Sequence, residues 1–456
     1  MSGLQVKSAT AAQAQWRRTP DPMAAARALR VEWFVTGTLR RTRRQLTVSA
    51  ELVRAASGDG AWGAPFRRGD DDLASVEEQI AESVAVGIVG RLAPSQLSAL
   101  RGRASRNTEA YRLYLYSRTL MARRTPGDIN AAVRALTQAL ALDPDFALAW
   151  GRLSSARSLQ TDWGSEEGWT LDSLRAVARS AWQRSLRLDS AAADGWAARG
   201  IWAIATRQYA EAQDALTRAL RLDSLSADTY HTFGYLYSVD HLDLPEVAVP
   251  YFTRAVALDP DLRNSWRHLA LSRAHQGRLA DAEALLDTAL ARGPWPIGSM
   301  ERAMVRAARR NLAGASADLE QGPTSGPVGS LPGPLTLDRE QWRAMLRIAA
   351  GDTSGARAIL AKVDTARVSS EATREPYRAV VYSLLGRSDS ALAALERIRA
   401  GTTLAPPLCG AQVCSPNLEL WRLLHHVFLI PLRGDPRFER LWAETRPRVP
   451  WLEGYH

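Results

Sequence analysis

Between Ala193 and Pro294 the chain repeats itself in steps of roughly 34 residues, each closing on a helix of small residues and a short acidic stop. One unit, Ala193 to Ser226, carries Trp196, Gly200, Tyr209, Ala212, Leu216 and Ala219, then Leu222-Asp223-Ser224. The next carries Tyr230, Gly234, Tyr237, Ala248, Phe252 and Ala255 before Leu258-Asp259-Pro260, with extra residues around His241 to Pro245. A third carries Trp266, Leu269, Ala270, Gly277, Ala282, Leu286 and Ala289 and breaks at Gly293-Pro294. One such helix pair buries too little apolar surface to stand alone, so the pairs must stack. The expectation is a mainly α chain, a right-handed helical solenoid over 106–400 interrupted near 160–171 and 321–334.

The positions have a physical reading. A large side chain on the first helix meets the second, and a small residue four positions on lets the backbones approach. Asp-Pro or Asp-Ser then stops the helix, because proline cannot continue it and Asp or Ser caps the next start.

These residues resemble the tetratricopeptide repeat family. Upstream, Ala110 to Leu120 with Ala131 to Pro144 reads as a repeat with a longer turn through Thr125-Pro126-Gly127-Asp128, and Trp150 to Asp189 as another with an insertion over Gln160 to Leu171. Downstream, Gln341 to Ala361 and Tyr377 to Ile398 read as worn repeats. The expected division is an α/β domain over 1–105, the solenoid over 106–320, a Gly/Pro-rich linker over 321–334, and degenerate repeats with a carboxyl-terminal cap over 335–456.

The amino-terminal part has another rhythm. Ala24 to Leu29 reads as a helix, Val31 to Leu39 and Gln45 to Val53 as a β-hairpin, Ala61-Trp62 as the start of a third strand, and Leu73 to Leu92 as an amphipathic helix. Strand alternation places Val35, Leu46, Val48, Leu52 and Trp62 in a core under that helix. The run from Ala28 to Arg40, Leu46 to Val53, Trp62 and the helix from Leu73 resemble the TolB-amino-terminal-like or FlgO-like domain. In bacterial signalling proteins that module precedes tetratricopeptide repeats, behind a serine/threonine kinase, a nucleotide cyclase or a winged-helix DNA-binding domain. Its members supply a further strand and helix before the point matching Leu4-Gln5-Val6, so the expectation is a partial module, from a larger ancestral architecture or a shortened gene.

No stretch approaches 18 consecutive apolar residues, and no basic region with an apolar run opens the chain, so a cytoplasmic location without a membrane segment is expected. The formal charge is +10, almost all from arginine, since Lys7 and Lys362 are the only lysines. Arg40, Arg41, Arg43 and Arg44 form the one tight cluster, but no aromatic interleaving or recognition helix accompanies it, which argues against nucleic acid.

Chemistry is sparse. Gly58-Asp59-Gly60 lacks the Gly-Lys-Ser/Thr of a phosphate loop and reads as a hairpin turn. Asp70 to Asp72 read as helix-start residues. Cys409 and Cys414 stand as free thiols, a local disulfide or half of a zinc site needing His425 and His426, adjacent residues that point different ways on a helix. No cofactor, metal or small-molecule substrate is expected.

The family resemblance implies which side chains line the groove: Asp194, Ala197, Ile201 and Ile204 in the first clear unit; Asp228, His231, Thr232, Tyr235, Ser238 and Val239 in the second; Asn264, Arg267, His268, Leu271, Ala274 and His275 in the third. Of these, His231, Tyr235, Arg267, His268 and His275 are the expected partner-binding residues. Neither resembled module brings a reaction site. The expectation is therefore a noncatalytic scaffold or regulatory sensor, not an enzyme, that holds a protein or peptide in the groove. The alternative is the carboxyl-terminal regulatory part of a kinase, cyclase or winged-helix regulator whose amino-terminal module is absent.

Overall fold

In a computed structural model, the described residues are 18–42, 45–69, 73–89, 107–123, 125–238, 240–322, 339–351, 371–401, 418–447 and 449–452, with a few isolated positions besides. The chain divides into two compact units: Met1–Arg207 with Glu211–Thr229 and Ala255–Leu262, and Gln208–Ala210 with Tyr230–Arg254 and Arg263–His456.

The first unit contains a helix, Pro22–Leu29, whose amino end is capped by the Asp21 carboxylate accepting from the Ala24 N–H at 2.6 Å. Three antiparallel strands follow, β1 (Trp33–Arg41), β2 (Gln45–Arg54) and β3 (Gly60–Gly69), in that spatial order. Gly58 adopts φ +80° in the turn before β3, which glycine tolerates without strain, so that tripeptide is a hairpin turn. The helix Leu73–Val89 covers one face. Ala50 and Phe66 of the sheet and Val76 of the helix form the core between them, with Val48, Trp62 and Ala64 of the sheet and Ile80 of the helix packed against it, and Leu52 is 1% exposed.

Val35 corrects the expected core. It lies opposite Leu52 and so shares its face, yet it is 47% exposed, because the covering helix lies mainly over β2 and β3. Parity is right and coverage is not. The side chain of Leu46 lies outside the described residues, as do Arg43, Arg44 and Asp70 to Asp72.

Helix pairs build the rest of this unit: Thr108–Arg123 with Pro126–Leu142, then Ala147–Trp163 with Leu171–Leu188. The first helix of the next pair, Ala193–Ala205, packs on Ala147–Trp163. Thr125-Pro126-Gly127-Asp128 is not a long turn but a helix start, with the Thr125 hydroxyl accepting from the Asp128 N–H and proline in the first turn. Glycine marks the tight crossings: a Cβ on Gly151 would come within 2.9 Å of the Asp194 backbone, and one on Gly200 within 2.6 Å of Leu216. The insertion is ordered, with Glu167 on Arg157 at 3.2 Å and the same guanidinium over Trp169 at 4.2 Å.

The second unit holds most of the pair Ala227–Leu236 and Pro245–Leu258, then Arg263–His275 with Leu279–Leu290, and Pro296–Ala308 with Leu312–Glu320. Gly293-Pro294 therefore separates two repeats rather than ending the regular ones. The helices Arg339–Ala349, Glu371–Leu384 and Ser388–Gly401 follow the worn pattern. Residues 323–334 of the expected linker, the whole of Gly355 to Ala361, and both cysteines lie outside the described residues.

Leu418–Leu424, a 3-10 turn at Val427–Leu432, and Pro436–Thr445 complete this unit. They are core, not trimming: Leu420, Leu424, Leu429 and Phe438 join one apolar cluster with Met300, Leu319, Val381 and Leu395. Among the described residues no helix is long and apolar enough to cross a membrane.

Candidate functional site

The first helices of successive repeats in the second unit meet through residues one period apart. His231 Nδ1 lies 3.0 Å from the Ser265 hydroxyl, and Arg267 Nε donates to Glu301 Oε1 at 2.6 Å; each pair is 34 residues apart. Arg267 Nη1 also reaches His268 Nε2 at 3.1 Å. A guanidinium only donates, so Nε2 must accept and the His268 proton sits on Nδ1, facing Asp240 Oδ2 at 3.7 Å.

Tyr235 stands over this polar layer. Its ring stacks on His231 (centroids 6.3 Å apart, 10° between planes) and meets His268 at 5.4 Å and His241 at 4.6 Å edge-on. Three imidazoles thus fix the orientation of one half-buried phenol. His231, Arg267 and His268 are themselves buried beneath it.

Burial sets the charges here. Desolvation pushes the Glu301 carboxyl up to about 7 against the pull of Arg267. Arg267 loses solvation too, but Glu301 and Asp240 outweigh that and hold its pKa above the usual value.

His275, the fifth expected contact residue, belongs to a separate cluster. Its Nδ1 lies 3.0 Å from Asp243 Oδ1, while His425 Nδ1 sits 3.3 Å from Asp243 Oδ2 and 3.1 Å from the Trp421 carbonyl. Both neighbours of that nitrogen are acceptors, so His425 carries its proton on Nδ1. Burial pushes the Asp243 carboxyl up, but the two imidazoles outweigh it and keep it below the ordinary value. Burial also lowers His425 to about 4 despite Asp243, and His426 to about 3. The Trp421 indole donates to the Leu242 and Asp243 carbonyls at 3.1 Å, and Trp442 closes over His425 at 4.2 Å. His425 and His426 do point different ways: His426 Nδ1 accepts from the Phe428 N–H and caps the 3-10 turn. Among the described residues no group of three or more His, Cys, Asp or Glu is placed to hold a metal ion.

The first unit has its own polar row. Asp194 and Asp228, both at the second position of first helices, share Arg152 at 3.1 and 3.3 Å, and Asp194 accepts from the Tyr114 hydroxyl at 2.9 Å. Burial, reinforced by Asp194, raises the Tyr114 phenol to about 12. The other groove positions fall as follows: Thr232, Ser238, Leu271, Ala274 and Ile204 are buried, and Val239 lies outside the described residues.

No pattern in the sequence marks Glu301, Asp240, His241 or Asp243 as groove residues. Glu301 was within reach, since one period added to Arg267 lands on it; the others lie in the extension before Pro245, where the register is broken.

No protein-family model matches the chain. Over 154 residues it is 26% identical to "Putative adenylate cyclase 3" of Rhizobium meliloti (strain 1021), covering 34% of this chain and 26% of that relative's length. Among solved structures, YrrB, a TPR protein with an unusual peptide-binding site, is 22% identical over 41% of this chain and 91% of its own, with a TM-score of 0.29. A thermophilic TPR protein of Thermus thermophilus is 19% identical over 46% and 99%, with a TM-score of 0.34. The elements themselves make this a mainly α-helical chain of repeated, tetratricopeptide-like helix pairs, with a small open three-stranded sheet in its amino-terminal part.

Proposed function

We propose that the chain is a noncatalytic interaction scaffold or regulatory sensor that holds a protein or peptide against the first helices of its repeats, with Tyr235 as the anchor. The observation that supports this is the grip of His231, His241 and His268 on the Tyr235 ring. An aromatic side chain already fixed in one orientation loses little freedom on binding, which is what binding hot spots require. In this reading Tyr235 meets the partner, His231, Arg267 and His268 support it from below, and His275 braces the neighbouring Asp243 cluster.

Peptides selected from a displayed library against the whole chain provide the test, with calorimetry on the chain and on Tyr235→Ala. The expected loss is about 2 kcal/mol of binding free energy with helical content unchanged. Equal affinities for both chains would remove Tyr235 from the interface.

The likeness to a relative named as a cyclase favours a second reading, in which the chain is the regulatory part of a kinase, nucleotide cyclase or winged-helix regulator. The amino-terminal sheet as a partial TolB-amino-terminal-like or FlgO-like module belongs to that reading. Joining the chain to a cyclase catalytic domain and comparing turnover with and without a selected peptide tests it, since a regulatory part changes the rate on binding.

A further inference from the structure

β1 is the outer strand of its sheet and, among the described residues, pairs only with β2. Its nine residues are centred on Gly37. Val35 and Leu39 project on the face that the helix Leu73–Val89 covers mainly over β2 and β3, and they stand 47% and 62% exposed. An open edge with exposed apolar side chains is a template for another strand, and Arg40 at its end limits which strand fits.

β1 fits itself. Two copies paired antiparallel about Gly37 place Val35 opposite Leu39 twice, Thr36 opposite Thr38 twice, and Phe34 opposite Arg40 twice. Apolar then meets apolar, each guanidinium meets an aromatic ring, and Arg40 never faces Arg40. It is the one antiparallel register that brings Val35 and Leu39 together. A two-residue slip sets each of them against some other residue of β1 or its flanks.

We infer that β1 is a homodimer interface, through which two copies of this chain pair about Gly37 into one six-stranded antiparallel sheet. The inference stands apart from the peptide-binding reading, since it uses no residue of the repeats.

Sedimentation equilibrium of the full chain tests it. The wild-type chain is expected to dimerise. Val35→Glu sets a carboxylate against Leu39 of the second copy, and Leu39→Lys sets an ammonium against Val35, so each alone should weaken the dimer by about tenfold or more. The double variant Val35→Glu with Leu39→Lys sets Glu against Lys across the interface twice, and should recover most of the loss. Within one strand the two positions are four residues apart, too far to pair with each other. A wild-type chain that stays monomeric across the concentration series overturns the inference, as do single variants that dimerise normally or a double variant no better than the singles. Amide exchange over residues 34–40 of the wild-type chain needs no substitution: it should slow as concentration rises, and exchange independent of concentration also overturns it.

Discussion

Arg267 Nε donates to Glu301 Oε1 at 2.6 Å across one 34-residue period, so equivalent first helices are joined by a buried ion pair as well as by apolar packing. The partners are not equal. A carboxyl shifted to about 7 can take a proton when its partner is lost, whereas a guanidinium cannot give one up. Glu301→Ala should therefore cost more stability than Arg267→Ala, within the roughly 3 to 5 kcal/mol expected for breaking a buried pair. Urea unfolding of both variants at pH 7 decides it; equal losses would mean that the pair is solvated.

The acid response of the second unit follows from three buried groups. His425 and His426 bind protons more weakly folded than unfolded, so below about pH 6.5 only the unfolded chain takes them up and stability falls as acid is added. The slope is about 1.4 kcal/mol per pH unit for each histidine until the folded values near 4 and 3 are reached. Glu301 has the opposite sign: its contribution is fully present below about 4.5 and is lost as pH rises through about 7. His426→Asn, which keeps an acceptor for the Phe428 N–H, should flatten the acid limb, and Glu301→Gln should flatten the fall from pH 5 to 8. Chemical unfolding midpoints across pH 4 to 8 give both slopes.

Gly234 marks the crossing of its helix pair. A Cβ there would meet three ring atoms of Phe252 at 2.8 to 2.9 Å, and a buried ring has nowhere to swing. Gly234→Ala should cost about 1 to 3 kcal/mol although alanine is the better helix former. Gly386→Ala, at a position where φ is +71° but no atom lies within 4 Å, tests backbone strain by itself. Thermal unfolding of the two variants separates crowding from strain.

In the sheet, Leu52 and Val35 face each other across β1 and β2, but only Leu52 is covered. Leu52→Ala should cost about 2 to 5 kcal/mol. Val35→Ala should fall within about 0.5 kcal/mol of the parent in dilute solution. Trp62→Ala, at a ring only partly buried, should cost less than the roughly 3 to 5 kcal/mol of a fully buried one. Guanidinium titrations of the three variants rank them.

The helix pairs were legible because stacking imposes the same small and large residues at every step: Gly200 against Leu216 recurs as Gly234 against Phe252. The strands were legible to within two residues from alternation. What alternation does not encode is which strand a helix covers, and Val35 was placed in the core for that reason. The groove residues were legible as positions but not as partners. Family spacing says that Arg267 lies on the inner side of its helix, while its bond to Glu301 depends on how closely the next repeat approaches. In the sequence His425 stands out only with His426, as the pair that would complete a zinc site begun by Cys409 and Cys414. Its contact with Asp243 spans 182 residues, beyond any local pattern.

Repeat arrays ordinarily assemble from neighbours, and such short-range contacts let them fold while still being made. The indole of Trp421 departs from that rule, since its bonds to the carbonyls of Leu242 and Asp243 close loops of 179 and 178 residues. A nascent chain that has passed Asp243 must wait for Trp421 to leave the ribosome before the Asp243 cluster can be sealed. Until then the carbonyls of Leu242 and Asp243 lack the indole that closes over them, although the neighbouring helix pairs can already pack.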